Sequence, residues 1–224
     1  MNSHSLQQAQ CAVTAMMGAR AALVLSLLCA FGDLLGAEEN ATDADNAPAF
    51  CRTYECPKYQ VAKQYETFEL RVYEQSRWVT TPLELDFLGI GLYRSFRRLF
   101  KYINGQNSEG IKMKMTVPVR MYVPRISSTD KNATMSFFVP SSVVNPPQPL
   151  NQEVYLESFP QKSIYVKSFS GYALKPVYEK KAKMLLEELT DLGLQFDSSY
   201  GTAAGYNDPL TIFDRHNEVW YTSL

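Results

Sequence analysis

Residues Ile111 to Val123, IKMKMTVPVRMYV, constrain the fold more than any other stretch of this chain. Every odd position is apolar: Ile111, Met113, Met115, Val117, Val119, Met121 and Val123. Between them stand Lys112, Lys114, Thr116, Pro118, Arg120 and Tyr122. Side chains alternate between the two faces of a strand, so this period of two predicts one long strand with a buried face and a wet face. At about 3.3 Å per residue it spans roughly 40 Å, beyond ordinary strand length, so it should curl or bulge. Pro118 has no N–H to give a ladder and marks the expected bulge or edge. A strand of this length with one apolar face needs a concave partner, which predicts a barrel or a strongly wrapped sheet.

Shorter signals place the remaining elements around it. YETFELRVY puts Phe68, Leu70 and Val72 on one face, and the strand pattern continues through RWVTT to Pro82. From Phe87 to Ile103 the period changes. Leu92, Phe96, Leu99, Phe100 and Ile103 line one side of a helix, with Arg94, Arg97, Arg98 and Lys101 opposite as a solvated face. Asn104-Gly105 ends that helix. MSFFV reads as a short strand and SSVVNPPQP as a proline-rich connector. VYLESFP and SIYVKSF are two further strands. A second helix starts near Pro176, packs through Tyr178, Ala182, Leu185, Leu189 and Leu192, and stops at Gly193. YGTAAGY and NEVWYTSL close the chain. The order strands, helix, strands occurs twice. It predicts an α+β fold: a distorted antiparallel β-barrel of two pseudo-repeated halves with two flanking α-helices.

With 224 residues and 46% hydrophobic content, the chain has material for one sizeable core. A net charge of −1 gives no electrostatic case for nucleic acid. Its two histidines, His4 and His216, are too few for a histidine-built metal site. Arg20 precedes an apolar run from Ala21 to Ala30, and Leu35-Gly36-Ala37 offers small residues for cleavage before Glu38. The run is too short for stable membrane insertion and reads as a signal peptide over residues 1–37, with an upstream extension. Asn40 and Asn132 head glycosylation sequons. After cleavage Cys51 and Cys56 remain, and CRTYEC can close a small disulfide loop in an oxidising compartment. Residues 38–56 are read as a flexible lead and 57–224 as the folded domain, secreted from the cell.

KMKMTVPV (112–119), AGYNDP (204–209), NEVW (217–220), YETFELRVY and RWVTT resemble signature stretches of the SOUL, or haem-binding protein, family. The resemblance runs from Pro57 to Trp220. It implies a pseudo-twofold antiparallel barrel with two helices, and non-enzymatic binding of haem or another porphyrin as a ligand rather than a catalytic cofactor. It places that ligand in a shallow apolar groove beside the first helix, at Phe96, Phe100 and Lys101, facing the loop from Pro209 to Arg215. Two positions depart from the family pattern. Val72 stands where some members carry an axial histidine, and Thr211 stands where another carries a loop lysine. Axial ligation is then absent, or comes from His216 or a tyrosine such as Tyr206 or Tyr172. Thioether ligation by Met113, Met115 or Met121 competes with core packing, which their alternation favours.

Two other classes stay open. A barrel enzyme would use a pocket glutamate, Glu66, Glu69, Glu157 or Glu218, as general acid or base. No nucleophile elbow, metal cluster or phosphate loop accompanies them. A secreted protein-interaction module would use the basic helix or an edge strand.

Overall fold

The strands are β1 (Tyr59–Gln64), β2 (Glu69–Tyr73), β3 (Ser76–Pro82), β4 (Val119–Pro124), β5 (Thr134–Phe138), β6 (Tyr155–Phe159), β7 (Lys162–Ser170), β8 (Tyr200–Gly205) and β9 (His216–Thr222). The helices are α1 (Ile90–Ile103) and α2 (Lys175–Asp191). They come from a computed structural model that describes residues 47–84, 90–125, 132–208, 211 and 213–224. All nine strands join one antiparallel sheet in the order β1-β2-β7-β9-β8-β4-β5-β3-β6, curled into a half-barrel. This is the expected α+β fold of two repeated halves, β2-β3-α1-β4-β5 and β6-β7-α2-β8-β9. The halves meet where β4 pairs with β8. Each half also lends its first strand to the other, since β2 pairs with β7 and β6 with β3.

Register sorts every side chain to one of two faces. Met135, Met121, Ala203 and Val219 stand opposite one another across β5, β4, β8 and β9, and so share the outer face. Helix α1 covers one end of that face through Leu99, Tyr102 and Ile103 against Val79, Met135 and Phe137. Helix α2 covers the other end through Leu185 and Leu189 against Tyr165, Val219 and Tyr221. Leu99, Leu185 and Leu189 are fully buried, and each such side chain contributes roughly 1.5–3 kcal/mol. Buried Lys167 anchors α2 by donating to Glu188 at 2.9 Å and to the Thr67 carbonyl at 3.2 Å.

The long strand divides in two. Only Val119–Pro124 is regular ladder. Pro118 offers no N–H to a ladder, and the strand starts at the next residue. Upstream, the chain leaves the ladder and bonds elsewhere: Met113 N donates to the Ile103 carbonyl, and Val117 N to the Glu55 carbonyl. Met113 and Val117 are buried as expected, while Val123 is exposed. On the even side Lys112 and Lys114 are exposed as expected, but Thr116, Pro118 and Arg120 are buried, which corrects the expectation of a wet face beyond Lys114. Curling the sheet turns that side into a concave interior.

Helix α1 is rolled relative to its apolar stripe. Its buried residues are Gly91, Ser95, Leu99, Tyr102 and Ile103, whereas Leu92 and Phe100 are exposed. Gly91 permits this seating, since a Cβ there would stand 2.6 Å from Glu84 Cβ. Ser95 Oγ accepts the Glu84 N–H at 3.1 Å and lies 3.1 Å from the Pro82 carbonyl oxygen. Arg98 leaves the expected solvated face, reaching Glu84 at 2.5 Å and donating to Thr81 Oγ1 at 3.0 Å. Gly105, at φ +100°, turns the chain after the helix as expected. Residues 87–89 of the expected helix lie outside the described residues.

Packing begins ahead of Pro57. A short 3₁₀ turn, Ala49–Cys51, carries Phe50 and Cys51 onto the inner face, and Cys51 is fully buried. The Cys51–Cys56 disulfide closes this segment, with the Cα atoms 6.1 Å apart.

Candidate functional site

On the outer face, α1 covers strands β3 and β5 while α2 lies on β9, and the central pair β4 and β8 runs between them. The outward residues of that pair, Val119, Met121, Ala203 and Gly205, are only half-buried. They floor a strip that two opposed helices leave partly open. Phe96 rises beside this floor from α1, edge-on to Phe137 at 5.1 Å and stacked on Phe100 at 5.8 Å. Phe100 is 45% exposed, and Lys101 next to it is exposed. A flat apolar surface with a cation at its rim results. It suits a ligand with an apolar plane and an anionic edge.

The inner face combines an apolar cluster around Cys51, Val166 and Trp220 with a largely polar middle. Its middle row crosses seven strands: Ser168, Glu218, Ala204, Arg120, Ser136, Thr80 and Tyr155. At one end Glu218 is fully buried. Arg71 Nη1 donates to its Oε1 at 2.9 Å, and Tyr206 OH and Trp220 Nε1 both donate to Oε2 at 2.8 Å. His216 Nε2 lies 2.7 Å from Oε1. Burial alone would raise the Glu218 pKa, but the His216 hydrogen bond and the Arg71 charge outweigh it and hold the carboxyl below its ordinary value. Burial and the neighbouring Glu218 push Tyr206 far above the ordinary tyrosine value, so it stays a hydrogen-bond donor. Phe50 seals this end, stacking on His216 at 3.9 Å and meeting Tyr206 edge-on at 5.0 Å.

A family model described as SOUL heme-binding protein matches residues 54–222. The chain belongs to the SOUL family. Human heme-binding protein 2 is 31% identical over 187 residues, covering 82% of this chain and 89% of the relative. Mouse heme-binding protein 1 is 27% identical, covering 70% and 85%. Among solved structures, the crystal structure of the EcmrR C-terminal domain superposes with a TM-score of 0.51 at 10% identity. It covers 74% of this chain and 98% of that one, and shows the fold alone.

The SOUL motifs thus sit on both faces. The candidates taken from them are brought together only in part. Phe96, Phe100 and Lys101 share α1 on the outer face. His216 lies on the inner face, held between Glu218 and Phe50. Tyr206 is buried beside it, and the Tyr172 ring lies under the Arg215 guanidinium at 4.5 Å. Met115 and Met121 pack against the core beneath α1. Among the glutamates, Glu66 is exposed, Glu69 pairs with Arg71 at 2.6 Å, and Glu157 accepts from Thr80 Oγ1 at 2.6 Å. Asn132 is exposed; Asn40 and the segment 1–37 lie outside the described residues. No group of His, Cys, Asp and Glu among the described residues is arranged to hold a metal ion, and no described helix is long and apolar enough to cross a membrane.

Sequence reasoning missed Arg71, Arg120 and Phe50. The one available signal was an arginine or glutamate at an inward position of an otherwise apolar strand, as in ELRVY and NEVWYT. Alternation alone cannot say whether such a residue faces water or a partner charge.

Proposed function

We propose that this chain binds haem or a related tetrapyrrole, without catalysis, on the outer face beside α1. The carrying observation is the Phe96–Phe100 stack: Phe100 is 45% exposed, and Phe96 packs on the same core as the half-buried Val119 and Met121. Membership of the SOUL haem-binding family and likeness to heme-binding proteins 1 and 2 support it. A porphyrin plane fits such a surface, with a propionate near Lys101. Bound haem would bring its iron, but this chain's part is to shelter the ring and hold its anionic edge. About 330 Å² of apolar contact at roughly 25 cal/mol per Å² matches the ~8.2 kcal/mol of a micromolar constant, before the entropy cost of association.

Glu218 argues for binding rather than turnover, since Arg71, Tyr206, Trp220 and His216 already occupy both its oxygens. The leader-like N-terminus, the two sequons and the Cys51–Cys56 bridge support a secreted, glycosylated product. Haemin titration followed by absorption tests the ligand. A saturable Soret change, weakened by Phe96→Ala and unmoved by His216→Ala, is expected; no saturable change refutes the reading. Expression in animal cells tests the compartment, since protein kept in the cytosol with free thiols refutes secretion.

A further inference from the structure

Beyond Ala204 from the sealed cluster, the inner face opens into a cleft of about 760 Å³. That is within the range of about 300–1,000 Å³ usual for small-molecule sites. Tyr122, Thr202 and Trp220 form one cross-strand row of its wall, and Phe159 and Arg120 stand beside them. Arg120 is 8% exposed. Its guanidinium lies over the Phe159 ring at 3.9 Å and the Trp78 ring at 4.5 Å. Nη2 donates to Ser136 Oγ at 3.2 Å, and Glu157 Oε2 is 3.7 Å away, outside hydrogen-bond distance. That carboxylate oxygen already accepts from Thr80. The buried Nε has no hydrogen-bond partner among the described residues.

A buried guanidinium is tolerated when carboxylates accept from its N–H groups, as Arg71 donates from Nε to Glu69 and from Nη1 to Glu218. Arg120 has the burial, but its one ion-pair partner among the described residues, Glu157, stands beyond hydrogen-bond distance. The Phe159 and Trp78 rings, themselves edge to face at 6.2 Å, form a corner against which the guanidinium rests, and this limits the freedom it would lose on meeting a ligand. Burial holds its pKa down to about 10, against the opposing pull of Glu157. Lys162 adds a second cation to the cleft, while Glu157 and Asp197 are the carboxylates that line it.

We propose that this cleft is a second ligand site, which takes a small organic anion: a flat apolar body against Tyr122, Trp220 and Phe159, with a carboxylate on Arg120. It lies on the opposite face of the sheet from Phe96 and Phe100 and does not depend on tetrapyrrole binding there. Three probes of one shape test it by calorimetry on the secreted chain: naphthalene-2-carboxylate, naphthalene-2-carboxamide and 2-naphthylmethylamine. The carboxylate is expected to bind at least about tenfold more tightly than either other probe. Arg120→Met should abolish that preference, and Arg120→Lys, which keeps the charge and loses the fork, should restore only part of it. Thr202→Phe, which fills the cleft without touching a charge, should remove binding of all three, and haemin should not displace the carboxylate. Equal binding of the amide or amine overturns the proposal, as does a preference that survives Arg120→Met or binding unaffected by Thr202→Phe. Displacement by haemin overturns it as a site separate from the tetrapyrrole groove, and absence of carboxylate binding at millimolar concentration overturns it outright. If Arg120→Met fails to fold, Thr202→Phe and Arg120→Lys decide.

Discussion

In one half of the inner face Glu218 stands between Ser168 and Ala204; at the matching place in the other half Ser136 stands between Thr80 and Arg120. The strand geometry is the same and the charge has moved one strand along. Around Glu218 the partner cation comes from β2, two ring donors close on the second oxygen, and Phe50 covers the group. Around Arg120, among the described residues, only a hydroxyl is in hydrogen-bond distance, and the carboxylate of Glu157 stands off at 3.7 Å. Desolvation is repaid in the first case by saturated hydrogen bonding and in the second only in part. Repeating a unit therefore repeats a backbone, while the exchange of a few inward residues turns one copy into a plug and the other into a cleft.

The contrast is sharpest under substitution. Glu218→Ala leaves Arg71 buried without its main counter-charge and should cost about 3–5 kcal/mol in urea unfolding. A cost below about 1 kcal/mol would mean that the sealed half is held by packing alone. The same group sets a pH dependence. Its folded pKa lies below the ordinary glutamate value of 4.5, so the unfolded chain takes up the proton first as pH falls. The stabilisation is complete above that value and is lost progressively as pH drops through it towards the folded pKa. Unfolding midpoints measured between neutral pH and pH 3 should fall over that acid window, and Glu218→Gln should flatten that part of the profile.

Removing the disulfide tests the plug. A loop this short contributes about 2 kcal/mol of unfolded-state entropy, so Cys51→Ser with Cys56→Ser should lower stability by about that much. In combination with Arg120→Met the two costs should add within about 0.5 kcal/mol, because no hydrogen bond or ion pair among the described residues joins the disulfide segment to Arg120. A larger coupling would show that the two halves sense each other. Arg120→Met alone is the smallest effect, within about 1 kcal/mol of the parent, because it removes an under-compensated cation and leaves an apolar chain against two rings. A loss comparable to Glu218→Ala would erase the distinction between the halves.

Much of the architecture was legible in one dimension. Both helices ended where Asn104-Gly105 and Gly193 predicted, and six of the strands followed alternating runs named in the sequence. Strand β1 was not legible, since five of its six residues are exposed and carry no period. The α1 stripe was read one step too far round. Phe96 and Phe100 draw the eye, whereas Gly91 and Ser95 seat the helix through backbone approach and a hydroxyl. The candidate site was legible on α1 and illegible at His216, whose motif gave its neighbours in sequence but not its face of the sheet.

By itself the sequence determined which residues alternate, where helices start and stop, and that two similar halves follow one another, because those depend on local periods and turn chemistry. It could not determine that the polar side of Ile111–Val123 would be an interior. That side became one only when the sheet curled and brought Trp78, Phe159 and Glu157 around Arg120. Whether a buried charge is satisfied depends on groups far apart in the chain. Arg71 and Glu218 meet across 147 positions. Only the tertiary structure decides such a pairing, because the free energy of a buried ion is set by the last ångström to its partner.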